Sequence, residues 1–200
     1  MSGKIILASS SPRRQQLLRE IGLPFQVRVA NVEEALTAKL SPAEQVKMLA
    51  ERKACAVAEQ ISGGLVIGAD TVVWDGDILG KPKDENEARL MLKRLSGKEH
   101  LVYTGVSVVD VGTGSAVTDY ERTRVRFRSL SEEEIIRYVA TGEPLDKAGA
   151  YGIQGVGALL VEGIEGCYFN VVGLPIVKLR SLLQNFGFDM LAAVRPAARN

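Results

Sequence analysis

Two short runs set the strongest limit on the fold. Ile5, Ile6, Leu7 and Ala8 form one; Leu65, Val66, Ile67, Gly68 and Ala69 form the other. Neither contains a polar side chain, and each passes directly into polar turn residues. A strand without a wet face needs cover on both sides, which a mixed sheet flanked by helices supplies. The intervening chain offers that cover. Ser11 can cap a helix with Pro12 in its first turn, and Leu17, Leu18 and Ile21 line one face before Gly22. Ser41, Pro42 and Glu44 spell a capping box with proline at the first helical position. That helix carries Val46, Leu49, Ala50, Ala54, Val57 and Ile61 inward.

The remaining chain repeats this grammar. Phe25, Val27 and Val29 alternate as a strand with one wet face. Asp75 and Gly76 mark a hairpin turn between Trp74 and Ile78. Asp84 caps a third helix, long strands are expected near 101–110 and 116–128, and Ser131 with Glu134 forms a second capping box. Ala158 to Val161 reads as a strand, Val171 and Val172 complete a last hairpin, and Pro175 opens a final helix. Mixed crossovers and hairpins predict an α/β fold: a mixed, twisted sheet flanked by helices, with two lobes and a central cleft. Residues 1–188 form a single domain and residues 189–200 a loosely held tail.

Composition narrows function. Lys and Arg total 25 against 24 Asp and Glu, a net charge of +1, which argues against a nucleic-acid coat. No apolar run approaches the roughly 18 residues of a membrane span. With no signal-peptide pattern, the expected compartment is the cytoplasm. Two cysteines and one histidine exclude disulfide frameworks and multi-histidine metal centres. An enzyme of this composition would work mainly with carboxylates, lysines and arginines, with room for a hard metal ion.

Five places carry such groups. Ser9, Ser10, Ser11, Pro12, Arg13 and Arg14 join a buried strand to a helix N-terminus, where free N–H groups, hydroxyls and guanidinium forks suit phosphate. Asp70, with Thr71, follows a buried strand run, a place to hold metal or activate water. Glu33 and Glu34 offer further acids, and Lys53 and Lys81 offer point charges for phosphate. The stretch from Asp146 to Gly157 is glycine-rich and bears Gln154, whose amide can read a base edge. His100 and Cys55 read as structural residues, and Arg122, Arg124, Arg126 and Arg128 as a wet strand face.

Taken in order, Leu7-Ala-Ser-Ser-Ser-Pro-Arg-Arg14, Val32-Glu-Glu34, Glu51-Arg-Lys-Ala54, Gly68-Ala-Asp-Thr71, Gly80-Lys-Pro82, Leu95-Ser-Gly97, Leu130-Ser-Glu-Glu-Glu134, the 146–155 loop and Val172-Gly-Leu-Pro175 resemble the Maf family of nucleoside triphosphate pyrophosphatases. The likeness runs from about residue 4 to about residue 188. It implies a fold similar to inosine-triphosphate pyrophosphatases and cleavage of a nucleoside triphosphate to monophosphate and pyrophosphate, assisted by Mg²⁺ or Mn²⁺. It also implies Asp70 as proton acceptor, Glu34 and Asp70 as metal ligands, and Arg13, Lys53 and Lys81 facing phosphate. Arg13, Thr71 and Gln154 resemble the dTTP/UTP branch rather than the 7-methyl-GTP branch. The resemblance further suggests a homodimer and a role in clearing non-standard nucleotides. The competing expectations are a nucleotide-binding regulator of cell division and a pyrophosphatase for purine nucleotides.

Overall fold

The computed structural model describes residues 3–29, 31–33 and 40–194. In chain order the elements are β1 (Ile5–Leu7), α1 (Pro12–Glu20), β2 (Gln26–Val27), α2 (Pro42–Ala58), β3 (Leu65–Trp74), β4 (Ile78–Leu79), α3 (Glu85–Leu95), β5 (Glu99–Asp110), β6 (Ala116–Phe127) and α4 (Glu132–Ala140). Short 3-10 segments follow at Glu143–Asp146, Ala148–Ala150 and Gly155–Leu160; then come β7 (Val161–Glu165), α5 (Tyr168–Val172), α6 (Ile176–Gln184) and α7 (Met190–Ala193). The sheet runs β2-β1-β3-β5-β6-β7, with β4 beside β3. β1 pairs in parallel with β2 and β3, whereas β3–β4 and β6–β7 are antiparallel. The mixed α/β architecture is therefore the expected one. No helix among the described residues is long and apolar enough to cross a membrane.

The chain forms two units. The first comprises the chain up to Asp70, Thr104–Tyr120 and the chain from Gly173; the second comprises Thr71–Tyr103 and Glu121–Val172. In the first, Ile6, Ala8, Ala54, Val57, Val66 and Val109 share a core. In the second, Leu92, Leu95, Phe127, Val139 and Tyr151 are among the residues packed together.

Local signals hold where hydrogen bonds close over three residues. Ser41 Oγ accepts from the Glu44 N–H at 3.3 Å while Glu44 Oε2 accepts from the Ser41 N–H at 2.9 Å. Ser131 and Glu134 repeat this at 3.2 and 2.8 Å. Asp84 caps α3 through the Glu87 N–H at 2.8 Å.

Four expectations give way to tertiary structure. β2 extends only over Gln26–Val27, in the register Ile6↔Gln26, Leu7↔Val27 against the three-residue β1. Ser11 occupies the cap position of α1 but makes no side-chain cap. Val171 and Val172 close α5, not a hairpin, and β7 begins only at Val161. The cause lies at Thr123, whose hydroxyl bonds the Cys167 backbone N–H and C=O, both at 3.0 Å, and accepts from Asn170 Nδ2 at 2.9 Å. Positions 167 and 170 reach one atom together only across a helical turn. Residues Met190–Ala193 form α7. Asp189 Oδ1 accepts from the Leu191 N–H at 2.9 Å and Met190 is buried; residues 195–200 lie outside the described residues.

His100 is structural, as expected. Its Nε2 lies 2.7 Å from the Tyr151 hydroxyl, and its ring stands edge-on to Phe127 at 5.0 Å. Burial pushes its pKa down to about 4. The unfolded chain therefore binds a proton that the folded one refuses. Stability is full above pH about 6.5 and falls as pH drops toward about 4, by about 3 kcal/mol from this residue alone. Urea unfolding between pH 7 and 4.5 should show that slope in the wild type and a shallower one in His100→Gln. Equal slopes would mean the imidazole is solvated.

Candidate active site

The site begins with a glycine. A Cβ at Gly68 would stand 2.1 Å from the Ala50 carbonyl oxygen and 2.8 Å from the Ala54 nitrogen. Helix α2 thus lies against the bare backbone of β3. Gly105 on β5 allows the same approach, since a Cβ there would meet the Val46 oxygen at 2.2 Å. Ala50, Lys53 and Ala54 fall on neighbouring rows of the helix, where the alanines permit contact and the lysine reaches along it. Two residues beyond Gly68, and so on the same face of β3, comes Asp70. Lys53 Nζ donates to Asp70 Oδ1 at 2.6 Å, with the two side chains only 13% and 11% exposed. A charge pair this dry is strong only while both partners remain.

The loop after β1 stands beside the same strand. Ala8 donates its N–H to the Ile67 carbonyl at 2.7 Å. Ser9 is buried, and its Oγ accepts from the Ser11 N–H and from Arg14 Nη1, both at 3.2 Å. Those bonds leave the Ser9 proton available for donation.

Arg14 makes buried contacts with this loop and its surroundings. Only 8% exposed, it donates from Nη1 to the Ala69 carbonyl at 2.9 Å and from Nε to the Gly173 carbonyl at 2.7 Å. Its fork braces the loop, the residue before Asp70 and the start of the last segment. Arg13, half-buried in the first turn of α1, keeps the position suited to an anion.

Thr71 follows Asp70 on β3 and is half-buried. Lys81 is exposed between β4 and α3. The preceding carbonyl, Gly80 O, accepts from the Gly149 N–H at 3.0 Å, tying this segment to the glycine-rich stretch. Nearby Ala150 is fully buried at φ 57°, the left-handed region a non-glycine residue rarely occupies. Gln154 is half-buried with extended backbone, just before the Gly155–Leu160 segment. Glu34 lies outside the described residues; Glu33 is within them.

No group of three or more His, Cys, Asp or Glu able to hold a metal occurs among the described residues. Asp70 is a carboxylate of the kind that can hold a hard cation. The sequence missed Glu143. Its carboxylate accepts from Tyr138 Oη at 2.8 Å and from two backbone N–H groups of the Gln154 loop. No local signal marked it, since it precedes the glycine-rich stretch that begins at Asp146.

A family model described as Maf-like protein matches residues 4–186. A dTTP/UTP pyrophosphatase of Pelotomaculum thermopropionicum is 53% identical over 189 residues, covering 94% of this chain and 99% of its own. One from Moorella thermoacetica is 54% identical over 192 residues, covering 96% and 99%. A third, from Bacillus cereus, is 53% identical over 191 residues, covering 95% and 99%. Among solved structures, the Staphylococcus aureus Ham1 protein aligns over 96% of this chain and 87% of its own, at 14% identity and a TM-score of 0.46.

Proposed function

The chain belongs to the Maf-like family, and from that membership we infer that it hydrolyses dTTP and UTP to the monophosphate and pyrophosphate. What carries this reading is half-identity, along nearly the whole chain, to proteins named for that activity. The geometry of the first unit suits the chemistry. Asp70 takes a proton from water, whose oxygen attacks the α-phosphorus as the bond to the β-phosphate oxygen breaks. Lys53, held on Asp70, orients the carboxylate and lends positive charge to phosphate. Ser9, Ser11 and Arg13 supply donors at the head of α1. Lys81 adds a point charge, while Thr71 and Gln154 read the pyrimidine edge. Arg14, which braces this loop through Nη1 and Nε, adds a guanidinium beside phosphate.

Asp70 and Glu34 would hold a divalent cation, Mg²⁺ or Mn²⁺, which neutralises phosphate charge when bound. The enzyme acts on the cytoplasmic nucleotide pool. The test is pyrophosphate release with Mg²⁺ or Mn²⁺ on dTTP, UTP, CTP, GTP and 7-methyl-GTP, with and without chelator. A preference of about tenfold or more for dTTP and UTP over GTP is expected, a difference of about 1.4 kcal/mol. Chelator should stop turnover. Turnover mainly on purines would overturn the specificity; none at all from folded protein would overturn the reaction.

A further inference from the structure

We propose that Glu143 is a positioning residue for nucleotide selectivity: its carboxylate pins the backbone around Gln154 and so sets how the base is read. The proposal rests on the role of Gln154 given above. Four hydrogen bonds carry it, all within the second unit. Glu143 Oε1 accepts from Tyr138 Oη at 2.8 Å and from the Gly157 N–H at 3.0 Å. Its Oε2 accepts from the Val156 N–H at 2.9 Å. Tyr138 Oη in turn accepts from the Gly152 N–H at 3.3 Å. The loop is thus held on both sides of Gln154, at 152 and at 156–157, by one acid and the phenol bonded to it.

The surrounding shape leaves no slack. A Cβ at Gly157 would stand 2.1 Å from the Gly152 oxygen and 2.6 Å from Tyr138 Oη, so the two limbs of the loop touch. Gly155 sits at φ 65°, where a Cβ would stand 2.7 Å from Glu143 Oε2. Tyr138 is 3% exposed on α4, and burial together with the Glu143 carboxylate pushes its phenol up, so it stays a proton donor. No hydrogen bond to a described residue holds the Gln154 amide itself. Its direction is inherited from the backbone, and the backbone's direction from Glu143. A solvated surface acid would accept no such set of bonds: charge-assisted acceptors are worth roughly twice neutral ones.

The experiment measures kcat/KM on dTTP and GTP, with amide hydrogen exchange at residues 152–157. It uses the full chain as wild type, Glu143→Ala, Glu143→Gln, Gln154→Ala and the Glu143→Ala/Gln154→Ala double variant. Glu133→Ala is the control, since that acid is 73% exposed and pairs only with Arg137. Glu143→Ala should lower the dTTP-to-GTP ratio about tenfold and speed exchange in the loop. Glu143→Gln should fall between, because the amide keeps one acceptor but sets an NH₂ against a backbone N–H. The double variant should lose no more selectivity than Gln154→Ala, because both changes act on one recognition step.

If Gln154→Ala changes the ratio and Glu143→Ala does not, the proposal is overturned and the Gln154 reading stands. If Glu143→Ala changes ratio and exchange while Gln154→Ala changes neither, the positioning role stands and the Gln154 reading falls. If neither substitution moves the ratio, both are overturned.

Discussion

Replacing Asp70 by Asn is expected to cut pyrophosphate release from dTTP by roughly a thousandfold, the usual range for loss of a general base. The fold should survive. The amide oxygen of Asn can still accept from Lys53 Nζ where Oδ1 now does, 2.6 Å away. Lys53 would nevertheless lose its counter-charge in a place where the pair is 13% and 11% exposed. Stability should fall, by less than the roughly 3–5 kcal/mol that follows outright removal of a buried partner. Lys53→Met is the complementary change and should lose both stability and turnover, since it leaves the carboxylate alone. Activity of Asp70→Asn within tenfold of wild type, in protein with native circular dichroism, would remove Asp70 from the proton-acceptor role.

Gly68→Ala should be, with Gly105→Ala, among the most damaging single methyls in the first unit. The added carbon would stand 2.1 Å from the Ala50 oxygen, a main-chain atom inside α2 with no side-chain freedom to yield. Either α2 lifts from β3 or the strand bends. Overpacking of this kind costs about 3 kcal/mol or more. Activity should fall further than stability predicts, because α2 carries Lys53 and β3 carries Asp70. Gly63→Ala makes the control: nothing lies within 4 Å of a Cβ there, so it should be near neutral. Thermal denaturation and residual dTTP turnover read both effects. A Gly68→Ala protein as stable as wild type would mean that helix and strand are not in backbone contact.

These two expectations differ in how visible they were before folding. Asp70 was visible from sequence as an acid after five apolar residues, although an aspartate that only starts a turn looks the same there. Gly68 read only as one of those five. Glycine in a strand announces a close approach without saying to what. The same division runs through the whole chain. Both capping boxes and the Asp84 cap were legible, since donor and acceptor are three residues apart and form whatever the rest of the protein does. The serine-rich turn was legible as a strand-to-helix junction, but the bonding inside it was not. Arg13 and Arg14 are chemically identical in sequence, yet it is Arg14 that bonds Ala69, Gly173 and Ser9.

The pairing of β-branched Val171 and Val172 pointed to a strand. A buried threonine 44 and 47 residues away overrode it by bonding Cys167 and Asn170 together. Glu143 carried no local signal, because its partners are main-chain N–H groups that every residue but proline possesses. Sequence by itself determined the element order as far as α4, the capped helix starts, the family and the residues able to do phosphate chemistry. Tertiary structure alone decided which of those residues meet. Lys53 and Asp70 lie 17 positions apart, and they touch because a helix can rest against a strand only where no side chain stands between them.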